Sequence, residues 1–76
     1  MAVYIPDTCT TIDRYAFRNS AVEKIRIPAG CSLGKGILDG CENVFVFSEA
    51  GSEAAAYCES HDNCTFVEEV KGDFVS

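Results

Sequence analysis

The chain has 76 residues, 47% of them hydrophobic, with five cysteines, no tryptophan and a net charge of −6. That length allows one domain, near the lower size for folding alone, where only about three fifths of the unfolded surface becomes buried. No apolar run is long enough to span a membrane, no signal peptide is present, and the acidic balance argues against nucleic acid, whose phosphates would be repelled.

In chain order, Val3-Tyr4-Ile5-Pro6 returns as Ile25-Arg26-Ile27-Pro28. Each copy reads as a short strand of β-branched and aromatic residues, closed by a proline that cannot donate to a ladder. Aligned on the prolines, Cys9 falls on Cys31, and a one-residue deletion then sets Ile12 on Leu33, Ala16 on Ile37, Phe17 on Leu38 and Ser20 on Cys41. The segments Tyr15 to Phe17 and Gly36 to Leu38 are short enough to be a single turn or a compact loop. Gly34-Lys35-Gly36 lacks the longer glycine frame and the following Ser or Thr of a phosphate loop. Val44 to Phe47 is a third strand.

Gly51 to Glu59 is the best helix of the chain, with Ser52 as N-cap, three alanines and Glu53 near the positive end of the dipole. It should fade at Asp62-Asn63, and Cys64 to Val67 reads as one more strand. Residues 69–76 should fray. Such a chain divides into two degenerate repeats, 3–24 and 25–43, and a C-terminal cap, 44–68. The expected fold is an α/β repeat: a short solenoid of parallel strands on one face and loops on the other, each copy burying its apolar residues against the next.

The matches Ile25-Arg26-Ile27-Pro28 with Cys31, and Ile12-Asp13-Arg14-Tyr15-Ala16-Phe17, resemble the BspA-type leucine-rich repeat family of bacterial and protozoan surface proteins. The tail Ala50-Gly51-Ser52-Glu53-Ala54-Ala55-Ala56-Tyr57-Cys58 is similar to that family's C-terminal cap. The resemblance covers residues 3 to 68. Asp13 stands where the family has glycine, Ser20 where it has cysteine, and Ile37-Leu38 where it has Ala-Phe. What the resemblance implies is a leucine-rich-repeat-like fold and a non-enzymatic role in protein binding or adhesion. It also implies location at the cell surface or outside the cell, with partners on host or bacterial surfaces and no cofactor.

Two repeats and a cap fall short of the three or more units such stacks need. The layer of Ile5, Cys9, Ile12 and Phe17 should lie open on one side. Either the chain is the end of a longer solenoid, or the open layer pairs with another copy as a weak homodimer. Residues 1–40 carry five Lys/Arg against four Asp/Glu (+1), and residues 41–76 carry one against eight (−7). A polar, acidic end keeps a stack soluble. The same charge disfavours anionic membrane surfaces.

All five cysteines fall where a small buried residue is wanted, and thiols pack like small hydrophobes. Cys58-Glu59-Ser60-His61-Asp62-Asn63-Cys64 offers three metal ligands at a spacing that fits no standard zinc finger, with Asp62 the one nearby fourth. A Cys58–Cys64 bridge is the other special reading. Catalysis by Cys58 with His61 would need a depressed thiol pKa and an oxyanion hole. No glycine-rich turn lies beside Cys58, and the negative end of a helix raises a thiol's pKa. The chain is read as having no enzymatic activity.

One surface feature points to recognition. With Val3/Ile5, Ile25/Ile27 and Val44/Val46 inward, period two sends Tyr4, Arg26 and Phe45 outward as a ladder of residue types enriched at protein interfaces. Cross-strand packing that serves the sheet alone is the plainer reading of the same pattern. The functional readings are thus a protein-binding module, a structural cap for a longer solenoid, or a small metal or redox module on Cys58, His61 and Cys64.

Overall fold

Short runs of Val, Ile and Phe bounded by turns favour strands, and a computed structural model describing residues 1–68 has six of them with one helix. They are β1 (Ala2–Tyr4), β2 (Thr11–Ile12), β3 (Lys24–Arg26), β4 (Ser32–Leu33), β5 (Val44–Ser48), α1 (Glu53–Ser60) and β6 (Cys64–Glu68). The tail expected from residue 69 onward lies outside the described residues.

Four strands form one wholly parallel sheet in the order β1-β3-β5-β6, and β2 pairs with β4, also parallel, in a second sheet. Val3 lies opposite Ile25, Ile25 opposite Val46, and Val46 opposite Phe66. Ile12 pairs with Leu33, the partner expected from the alignment on the prolines. The connecting turns also hydrogen-bond edge to edge: the amides of Tyr15, Phe17 and Asn19 donate to the carbonyls of Lys35, Ile37 and Asp39 at 2.9, 3.0 and 2.8 Å. Strand, second strand and turn of residues 2–20 therefore lie flat against their counterparts in residues 24–41.

Two positions show why the sequence permits this. Tyr15 and Gly36 occupy corresponding turn positions, both left-handed at φ 58° and 61°. Glycine takes that region without a Cβ penalty, whereas tyrosine is strained there. Gly34 serves close approach: a Cβ on it would overlap the backbone of Arg14 in the neighbouring turn.

The apolar core gathers Ile25, Ile27, Ile37, Leu38, Val44 and Val46, each no more than 1% exposed. Residues of the first segment are less enclosed. Val3, Cys9 and Phe17 are half-buried against the core, where their counterparts Ile25, Cys31 and Leu38 are buried. The expected open layer needs one correction. Ile5 and Ile12 are themselves buried, because both belong to the cluster that the second segment completes.

The helix forms where alanines and a cap residue predicted it. Ser52 is the N-cap, its Oγ accepting from the Ala55 amide at 3.3 Å, and Glu53 occupies the first turn. The Ser52 hydroxyl shares its proton between the Glu49 carbonyl and Ser48 Oγ, and Ser48 Oγ in turn donates to the Ile27 carbonyl at 2.6 Å. A fully buried serine thus links β3, β5 and the start of α1, with its polar group satisfied as burial demands. Ala54 and Cys58 are the buried residues of the helix, which packs on β5 and β6.

Candidate functional site

The outer face of the four-stranded sheet is where the sequence placed its recognition residues. Alternation along a strand sends every second side chain to that face. Tyr4 and Phe45 are accordingly exposed, at 51% and 50%. Arg26 lies opposite Tyr4, its guanidinium carbon 5.1 Å from the centre of the tyrosine ring.

The third rung differs from expectation. Arg26 is opposite Phe47, and Phe45 is opposite Lys24 and Thr65. The in-register ladder is therefore Tyr4–Arg26–Phe47–Val67, and Phe45 stands on the neighbouring rung of the same face. The expected alignment set Val44/Val46 on Ile25/Ile27; the pairing of Ile25 with Val46 shifts β5 by two residues. A two-residue shift preserves which side chains face inward, so alternation alone could not reveal it.

Arg26 is also committed within its own segment. Its Nη1 contacts Asp7 Oδ1 at 2.6 Å and donates to the Ile5 carbonyl at 2.9 Å, and its side chain is only 13% exposed while that of Asp7 is 76% exposed. The guanidinium ties the end of β1 to β3 and stiffens the base on which the aromatic rings stand. Lys24 supplies a second cation on the rung of Phe45.

The second candidate, Cys58, His61 and Cys64, is not assembled as a metal-binding set: no group of three or more His, Cys, Asp or Glu side chains able to hold an ion occurs among the described residues. The reason is the disposition of His61. Its ring stacks on Tyr57, with centroids 3.9 Å apart and planes inclined by 10°, and its Nδ1 lies 2.8 Å from the Tyr57 carbonyl and 3.1 Å from Ser60 Oγ. The histidine closes the C-terminal end of the helix.

Cys58 and Cys64 do come together. Both are buried; the neighbouring Cys64 side chain first and burial second push the Cys58 thiol far up, while the influence of Cys58 lowers Cys64. A thiol held protonated is a poor nucleophile. Cys31 is likewise raised, by burial first and by neighbouring Cys9 second.

Two residues that sequence reasoning passed over prove important. Asn63 Nδ2 donates to the carbonyls of Leu38 and Cys41 at 2.8 and 3.0 Å, and the Cys41 thiol reaches the carbonyls of Phe17 and Ser20 at 3.2 and 3.3 Å. Since Phe17 corresponds to Leu38 and Ser20 to Cys41, each side chain caps the same two carbonyls one turn earlier. Tyr57 is the other: its hydroxyl accepts from the Leu38 amide at 3.2 Å. The only hint in the sequence was their place in the cap.

An open groove of about 490 Å³ passes Met1, Ser20, Val22, Glu23, Cys41 and Glu42. Glu23 at its rim is held below the ordinary carboxylate range by the chain's amino group, 2.7 Å away. No helix among the described residues is long and apolar enough to cross a membrane. No protein-family model matches this chain, and no curated protein or solved structure is significantly similar to it.

Proposed function

We propose that this chain is a non-enzymatic protein-binding module, built as the C-terminal part of a leucine-rich-repeat-like solenoid similar to the BspA-type surface proteins. The solenoid reading is supported by the parallel register that steps from Val3 to Ile25 to Val46 to Phe66, with turns bonded edge to edge between them. The binding reading rests on one observation: Tyr4 and Phe45, two large aromatic side chains, are half exposed on the outer face of a parallel sheet. Exposed aromatic rings beside cations are the surface chemistry of protein interfaces. A rigid sheet holds these rings in place before a partner arrives, so little ordering cost accompanies binding.

A phage-displayed peptide library panned against the protein tests this. Peptides selected on the wild type should lose at least about tenfold in affinity, near 1.4 kcal/mol, for a Tyr4→Ser/Phe45→Ser double variant. Both positions are exposed, so the variant keeps its fold. Equal affinity for both proteins would sink the binding face.

A second reading is favoured by burial: β5 and α1 pack on the second segment, where Ile25, Cys31 and Leu38 are buried while Val3, Cys9 and Phe17 of the first segment are half-buried. On that reading the chain is the structural end of a longer solenoid with no ligand of its own. It predicts that panning recovers no peptide above background.

A further inference from the structure

Register fixes what the outer face of the four-stranded sheet offers. Its inner strand β3 turns Lys24 and Arg26 outward, and the strands on either side turn out aromatic rings: Tyr4 of β1 opposite Arg26, and Phe45 of β5 opposite Lys24. Tyr4 and Phe45 therefore stand diagonally across β3, both half exposed, with the two cations between them. Within the paired register no outward position of this sheet is Asp or Glu, although the chain holds twelve of them against six Lys/Arg.

The acids lie elsewhere. Glu53 and Glu59 ride on α1, which packs through Ala54 and Cys58 on the core side of the sheet. Exposed charges separated by the core are largely screened at physiological salt, where the Debye length is about 8 Å. Asp7 reaches the face from the turn after β1, and there it is bonded to Arg26. Lys24 is exposed. An ammonium has three donors, so Lys24 can take a carboxylate in addition to its contacts within the fold.

We propose that the partner of this face is an acidic peptide segment, one carboxylate of which pairs with Lys24 while neighbouring apolar side chains rest on Tyr4 and Phe45. The assignment rests on the protein-binding reading above and adds to it the sign of the partner's charge. A nucleic acid fits less well: with a phosphate at every nucleotide it would meet two cations on the face and a net charge of −6 on the whole chain.

The test begins with the peptides that panning recovers on the full chain, which should be enriched in Asp and Glu over the input library. By fluorescence polarisation, the affinity of such a peptide should fall about fivefold for Lys24→Glu, the worth of one exposed ion pair. It should also fall as sodium chloride is raised, because the pair is screened. Replacing the peptide's carboxylate residue by lysine should restore binding to Lys24→Glu and weaken it to the wild type. Urea midpoints check that the variant is folded; if it is not, Lys24→Gln and the salt series on the wild type carry the same comparison. Peptides without acidic enrichment, indifferent to Lys24 and to salt yet lost on Tyr4→Ser/Phe45→Ser, would overturn the acidic partner and leave the binding face standing. Recovery of no peptide would end both. A single-stranded oligonucleotide bound as tightly as the best peptide would overturn the choice of a peptide.

Discussion

Gly34 and Gly30 sit four residues apart and face opposite constraints. A side chain at Gly34 would enter the backbone of Arg14, which belongs to a bonded turn and cannot retreat, whereas nothing lies within 4 Å of a Cβ at Gly30. Gly34→Ala should therefore destabilise by at least about 2 kcal/mol, the cost of overpacking against a rigid wall. Gly30→Ala should be neutral or stabilising by up to about 1 kcal/mol, because it only restricts the unfolded chain. Urea midpoints of the two variants decide the matter; similar losses for both would mean that the turns do not lie as close as described. Arg26 teaches a related lesson. Its charge, its position and its place beside Tyr4 were legible from alternation, but its commitment to Asp7 and the Ile5 carbonyl was not, because both partners depend on how the chain bends after Pro6.

At the scale of elements, α1 is attached through its polar groups as much as through its apolar face. Ser52 and Ser48 fix its beginning, and Tyr57 reaches the Leu38 amide in the adjoining turn. Tyr57→Phe leaves that amide without a partner and should cost about 1–3 kcal/mol. Burial raises the Tyr57 phenol above its ordinary value near 10, against a smaller opposing effect of the Leu38 hydrogen bond. An acid with a raised folded pKa stabilises fully below its unfolded pKa, and that contribution is lost as pH rises through the folded value. The stability gap between wild type and the phenylalanine variant should therefore shrink as pH climbs past 10. Taking the difference between the two proteins cancels the cysteines that titrate in the same range. A gap that stays constant to pH 11 would show that the phenol is not buried in the way described.

For the molecule as a whole, enclosure rises from the first segment toward the second and is completed by α1 and β6. Val3 is half-buried and Ile25 is inaccessible, although the two lie side by side in one register. Truncating them should expose that gradient. Ile25→Ala should cost about 2–5 kcal/mol, within reach of the entire stability of so small a domain, and Val3→Ala about 1 kcal/mol. Chemical denaturation of both variants measures this directly, and equal losses would mean that the first segment is as enclosed as the second.

From the amino-acid order alone came the positions of β1, β3, β5 and β6 to within a residue or so, the matching of Ile12 with Leu33 but not the short strands β2 and β4 that carry them, the helix with its serine cap, and the alternation that exposes Tyr4 and Phe45. These are local or periodic properties, written in spacing, β-branching and capping chemistry within a few residues. Folding in three dimensions settled the pairing of Arg26 with Phe47 in place of Phe45, the diversion of His61 onto Tyr57, the meeting of Cys58 with Cys64, and the carbonyl clamp of Asn63. Each of these depends on the length and curvature of an intervening connection. A shift of two residues leaves every inward and outward assignment unchanged while altering every neighbour, so no pattern of period two can report it.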